Sequence, residues 1–170
     1  ALSSDIDFIG KAKLKSETIS LEKKMKKACF CGKVTLEFPE KPLLHFMCHC
    51  VDCDLLWNGV HMAFVFPTDE VSVEGDKSSF KYAGGSGLVL EFDFCSHCGT
   101  KVATRPEIVD GLTYIPAGFL KNEVDFSPQV EIFAYNKYKC FGNPDTLVES
   151  FDHNGTVERI SAVIEAMSEA

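Results

Sequence analysis

The sequence predicts a mainly β fold of several short antiparallel strands followed by one short C-terminal helix, and three observations carry that expectation. Short apolar or alternating segments recur through residues 33–135 between turn-rich pieces, the spacing of sheets folded on each other. Seven of the eight cysteines fall in three tight clusters: Cys29 and Cys31; Cys48, Cys50 and Cys53; Cys95 and Cys98. Helical spacing is sustained only at the end of the chain, where Val157, Ile160, Val163, Ile164 and Met167 follow the capping segment Asn154-Gly155-Thr156.

In order along the chain, residues 1–22 hold Ile6, Phe8, Ile9 and Leu14 without a sustained period, which predicts a tail or packed extension. Lys23, Lys24, Lys26 and Lys27 then read as a solvated approach to the first cysteine pair. In residues 33–38, Val34, Leu36 and Phe38 alternate with polar neighbours, as in a strand with one buried face, and Pro39 stops it. Residues 43–47 predict a second strand that delivers the chain into Cys48. Residues 54–58 suffice for one helical turn, ended by Gly59. The apolar, aromatic run 61–66 predicts a buried strand bounded by Pro67.

Further strands are expected at 71–73, 79–83 and 88–94, separated by Glu74-Gly75-Asp76 and Gly84-Gly85-Ser86-Gly87. The second of these glycine pieces lacks the Lys-Ser/Thr of a phosphate-binding loop and lies between strands, so it reads as a turn. Short strands at 101–104, 112–116 and 130–135 complete the series. The expected organisation is an extension at 1–24, one metal-binding β domain at 25–150, and a helical segment at 151–170 packed on or trailing it.

A chain of 170 residues that is 45% hydrophobic, with 14 Phe, can bury one good core. It contains no run of about 18 apolar residues to span a bilayer, and its N-terminus has no apolar signal core, which predicts a cytoplasmic or nuclear protein with no membrane partner. The net charge of −8 opposes binding to phosphate backbones, so no nucleic acid partner is expected.

Thiols one to three residues apart can converge on a single soft-ligand ion at about 2.3 Å. Cys29-Phe30-Cys31-Gly32 and Cys95-Ser96-His97-Cys98-Gly99 each place glycine directly after the last cysteine, where a tight turn can aim backbone N–H groups at sulfur. Together they predict a closed four-sulfur structural zinc site on Cys29, Cys31, Cys95 and Cys98. Cys48, Cys50 and Cys53 remain as a three-sulfur catalytic zinc site with one position open to water or substrate, giving two Zn²⁺ per chain.

Three other arrangements compete. A disulfide framework suits a small secreted chain, and this one has no secretory segment. A redox pair at Cys95 and Cys98 would belong at a helix start, yet the motif follows a strand. A single four-ligand site would leave the other cysteines as packed hydrophobes. His49 is expected to point away from the metal and hydrogen-bond nearby. Along with His61 it is a candidate proton donor; no other catalytic group beyond the metal ligands is indicated. His45, His97 and His153 take structural roles by default, Cys140 is expected to be buried, and Trp57 is a core candidate before it is a stacking group.

The order Cys-x-Cys-Gly, Cys-His-Cys-x-x-Cys, Gly-x-Ser-Gly at residues 84–87 and Phe-Cys-x-x-Cys-Gly resembles the glutathione-dependent formaldehyde-activating enzyme family, which also includes centromere protein V. The resemblance covers about residues 27–136, including Ile115-Pro116-Ala117-Gly118-Phe119-Leu120 and Glu131-Ile132-Phe133. It implies a zinc-stabilised β-tent, a structural zinc on Cys29, Cys31, Cys95 and Cys98, and a catalytic zinc on Cys48, Cys50 and Cys53. The activity implied is that of a zinc-dependent carbon–sulfur lyase or synthase joining glutathione to formaldehyde as S-(hydroxymethyl)glutathione. Two positions depart from the family pattern: Asp54, where a basic or amide residue is common, and Cys140, where an aromatic residue is common. The alternative function is a non-catalytic, zinc-stabilised binding module, which would have no need of an incompletely ligated metal.

Overall fold

The computed structural model describes residues 23–169, so the expected N-terminal extension lies outside the described residues except at its edge. Among the described residues, eleven strands form two sheets. The smaller sheet joins β1 (Lys24–Ala28), β2 (Val34–Pro39) and β5 (Ser72–Gly75) in the order β1-β2-β5, all antiparallel. β1 was not expected. Exposed Lys24, Lys26 and Ala28 alternate with partly buried Met25 and Lys27, and full pairing from Lys24 opposite Pro39 to Ala28 opposite Thr35 holds the strand at the edge of the sheet.

The larger sheet contains β3 (Leu44–Cys48), β4 (His61–Pro67), β6 (Lys77–Ala83), β7 (Val89–Cys95), β8 (Lys101–Pro106), β9 (Leu112–Pro116), β10 (Val130–Ile132) and β11 (Glu149–Phe151). Its order is β11-β10-β3-β4-β9-β8-β7-β6. The expectation of antiparallel strands holds except at β10, which runs parallel to both β3 and β11. Residues 130–135 were expected as one strand. The strand ends at Ile132 because Phe133 takes a left-handed backbone, φ 56°, and Ala134–Asn136 turns into a 3₁₀ helix.

Both faces of the larger sheet are covered around β4, which is why that strand's sequence is a nearly continuous apolar run. Ala63 and Val65 face one core, shared with Leu44, Phe46 and Tyr114. Phe64 and Phe66 face the other, where they meet Val34, Leu36 and Phe38 of the smaller sheet. The Phe38 and Phe66 rings lie 5.2 Å apart, and burial of each such ring is worth about 1.5–3 kcal/mol.

Helix α1 (Val51–Trp57) begins inside the central cysteine cluster, earlier than the single turn expected at 54–58. Helix α2 (Val157–Glu169) packs Ile160 and Val163 into the first core. Strand β11 ends in the segment assigned to the helix from sequence, so the last part of the chain contributes to the sheet as well as covering it. Among the described residues no helix is long and apolar enough to cross a membrane.

Candidate functional site

The first cysteine set closes where the two sheets meet. Cys29 and Cys31 lie in the β1–β2 turn, while Cys95 ends β7 and Cys98 lies in the β7–β8 turn. Gly32 (φ 80°) and Gly99 (φ 70°) take the left-handed conformation that these tight turns require. The Val34 backbone N–H donates to Cys29 Sγ at 3.3 Å, so a backbone donor offsets thiolate charge, though it comes from the second residue beyond the glycine. Cys31 Sγ is 3.6 Å from both Cys29 Sγ and Cys95 Sγ. Four sulfurs each about 2.3 Å from one centre stand about 3.8 Å apart in a tetrahedron, so the set has the spacing of a closed site.

All four sulfurs lie within 4.8 Å of one another and could hold a metal ion. The Thr100 hydroxyl and its backbone help hold the Cys98 thiol down to about 5. The Lys33 backbone favours the Cys31 thiolate, but burial and its neighbouring sulfurs prevail and push it up to about 12. Phe30, between the two ligands, is 94% exposed, so not every phenylalanine enters a core.

The second set sits on the opposite face of the larger sheet, for Cys48 and Cys53 belong to the first core and Cys29 and Cys95 to the second. Cys48 ends β3, and Cys50 is the N-cap of α1, with its sulfur accepting the Cys53 N–H at 3.3 Å. The Cys-x-x-Cys spacing is thus that of N-cap and third helical residue, whose side chains share one side of the first turn. The sulfurs of Cys48, Cys50 and Cys53 lie within 4.8 Å of one another and could hold a metal ion. Packed this closely they do not titrate alike: contact with Cys48 and Cys53 holds Cys50 down to about 3, while contact with Cys50 raises Cys48 and contact with Cys48 raises Cys53.

The two histidines near this set face different surroundings. His49 Nε2 is 3.2 Å from Glu131 Oε2, and both side chains are buried. Lys137 Nζ donates to both Glu131 oxygens at 2.8 and 3.0 Å, and Ser150 Oγ donates at 2.7 Å. His61 is paired across the strands with Cys48 and is 3% exposed, and its Nε2 has no hydrogen-bond partner among the described residues. Burial pushes His61 down to about 4, so the ring is neutral at pH 7. Trp57 stacks on it with ring centroids 4.3 Å apart, which makes the lone tryptophan a neighbour of the site as well as a packing residue.

A cleft with about 630 Å³ of empty space, part of it open to solvent, reaches the second set. The three cysteines and His61 line it, but His49 does not. The glycine turn between β6 and β7 forms one wall through Gly84, Gly85 and Ser86, a role its composition did not announce. Asp54 is turned elsewhere and accepts the Tyr138 hydroxyl at 2.8 Å, so this departure from the family pattern fastens α1 to the segment after β10. Cys140, expected to be buried, is exposed: it lies in the turn beyond Tyr138, outside both cores.

Comparison with known protein families matches residues 24–136 to the family described as glutathione-dependent formaldehyde-activating enzyme. The chain belongs to this family. The matched span begins at β1 and ends with the 3₁₀ turn after β10, so it contains both cysteine sets and most of the larger sheet. Membership of the glutathione-dependent formaldehyde-activating family ties the chain to glutathione- and formaldehyde-related chemistry. No curated protein matches it. Among solved structures, the crystal structure of a Rhodobacter sphaeroides protein is similar at 18% identity with a TM-score of 0.48, over 59% of this chain and 91% of that one.

Proposed function

We propose that the protein is a zinc-dependent carbon–sulfur lyase or synthase that adds a small thiol to formaldehyde, and cleaves the same adduct, at Cys48, Cys50 and Cys53. The observation that carries this reading is the placement of three converging sulfurs, with no fourth ligand among the described residues, in the lining of a cleft beside a buried histidine whose Nε2 is unpartnered among them. The complementary assignment is a structural zinc on Cys29, Cys31, Cys95 and Cys98, where four sulfurs leave no place for a substrate. Zinc held by three thiolates would supply a Lewis acid that favours a thiolate over a thiol at neutral pH.

The reaction forms one carbon–sulfur bond. The thiol's S–H bond breaks and its proton passes to solvent. The sulfur lone pair adds to the carbonyl carbon, the carbonyl π pair moves onto oxygen, and that oxygen takes a proton back from solvent, so thiol plus aldehyde equals hemithioacetal with no redox partner. The protein's own residues contribute placement and a hydrogen bond. β3 and the first turn of α1 fix the three sulfurs on a rigid scaffold. His61, held by its stack on Trp57, presents Nε2 as a donor to the oxygen as charge develops there. His49 acts differently: its pairing with Glu131 fixes the loop between Cys48 and Cys50.

The uncatalysed addition is easy, so the test follows exchange between free formaldehyde and its glutathione adduct at equilibrium by magnetisation transfer, in protein shown to hold both zincs. The wild type should accelerate exchange and Cys50→Ser should not. His61→Phe, which keeps a ring against Trp57, should lower the rate about 100-fold while leaving thiol binding unchanged. Equal rates for wild type and Cys50→Ser, across glutathione and other small thiols, would contradict the enzyme reading and favour a zinc-stabilised binding module.

A further inference from the structure

The walls of the cleft are not built for a charged peptide. No lysine or arginine lines it among the described residues, and the one ionisable carboxyl at its lining is Asp52, which adds negative charge beside the three sulfurs. Basic groups on the neighbouring elements are already engaged, among them Arg105, which flanks the lining residue Thr104 and donates to Asp93 at 3.0 Å. Lys101 donates to the Leu56 carbonyl at 2.6 Å, Lys137 is held by Glu131 and Asn143, and Arg159 donates to the Asn154 carbonyl and lies over the Phe151 ring. Glutathione carries two carboxylates, and a carboxylate placed here would lose water without gaining a cationic partner.

Apolar side chains supply most of the remaining lining, among them Leu90, Ile108, Ile160 and Phe133. Phe133 is the informative one. Its backbone is in the left-handed region at φ 56°, a conformation that is strained for an aromatic residue. The conformation lays its ring against Gly85: a Cβ added there would stand 2.9 Å from the far ring carbon, so the glycine turn leaves room for the aromatic wall. Strained backbone on one side and a missing side chain on the other thus combine to put a flat apolar surface in the cleft.

We propose that this cleft selects a thiol, or thiol adduct, whose body is uncharged and apolar, and that glutathione is the poorer ligand of this particular chain. The inference rests on the reading of Cys48, Cys50 and Cys53 as a thiol site and adds the substrate class to it.

The test titrates the zinc-loaded protein with benzyl mercaptan, glutathione and glutathione dialkyl ester, following Trp57 fluorescence and calorimetric heat in parallel. Benzyl mercaptan should bind at least tenfold tighter than glutathione, with the ester between them because it removes charge and keeps size. Ser86→Arg, on the partly exposed glycine turn, should tighten glutathione at least fivefold and leave benzyl mercaptan within twofold. Tighter binding of glutathione than of benzyl mercaptan by the wild type, or no response to Ser86→Arg, overturns the selectivity and leaves the thiol site standing. Absence of heat and fluorescence change with all three thiols overturns the thiol site itself.

Discussion

Glu131 shows what one residue does beside the cleft without entering it. It sits in the middle of an apolar three-residue strand, 1% exposed, and gathers Lys137, Ser150 and His49 around one carboxylate. Burial raises its pKa, but the hydrogen bonds and charge of Lys137 and the Ser150 hydroxyl outweigh burial and hold the carboxyl below its ordinary value. A lowered folded-state value contributes stability that is full above the unfolded pKa of about 4.3 and is lost as pH falls through the folded value. Glu131→Gln should therefore lower stability at pH 7 by about 3 kcal/mol, as expected when one partner of a buried pair is removed. The difference from wild type should shrink below about pH 4. Denaturant unfolding at pH 7 and pH 3.5 checks both parts, and an equal difference at the two pH values would contradict the assignment.

At the scale of the element, α1 depends on a cysteine for its N-cap. Cys50 Sγ accepts the Cys53 N–H, and a serine hydroxyl can take over that bond whereas alanine cannot. Cys50→Ala should thus be less stable than Cys50→Ser by about 1 kcal/mol, measured by chemical unfolding after the second zinc has been removed from both; equal stability would mean that the sulfur is a ligand position and not a cap. The start of this helix escaped sequence reasoning, which expected only the turn at 54–58, because it lies inside a cysteine cluster and cysteine is not among the residues that signal a cap. β2, β4 and β7 were legible from their apolar patterns, and the cysteine sets from their spacing together with the glycine after Cys31 and after Cys98. β1 was hidden by lysines, since an edge strand with one neighbour can remain largely polar. β11 was hidden because it spans three residues with one partly buried side chain. The pairing of His61 with Cys48 depends on the register of β3 against β4, which local patterning does not contain.

For the whole molecule, the larger sheet separates two cysteine sets that share chemistry and differ in architecture. One brings sulfurs of the β1–β2 turn together with those at the β7–β8 turn, where the two sheets meet. The other stands on a single strand and the helix that follows it, facing a cleft. Loss of the first should cost folding, because the ligation free energy of a site that closes long loops appears as stability. Loss of the second should cost function. Cys98→Ser is accordingly expected to be insoluble or unfolded by circular dichroism, while Cys50→Ser remains folded. The most direct measurement is metal content against fold during stepwise chelation of gently purified protein. Two zinc per chain should fall to one under a mild chelator with circular dichroism unchanged, and removal of the last zinc should coincide with unfolding. A chain that never exceeds one zinc on zinc addition, or that loses both ions and its fold in a single step, would contradict the division into a structural and a functional site.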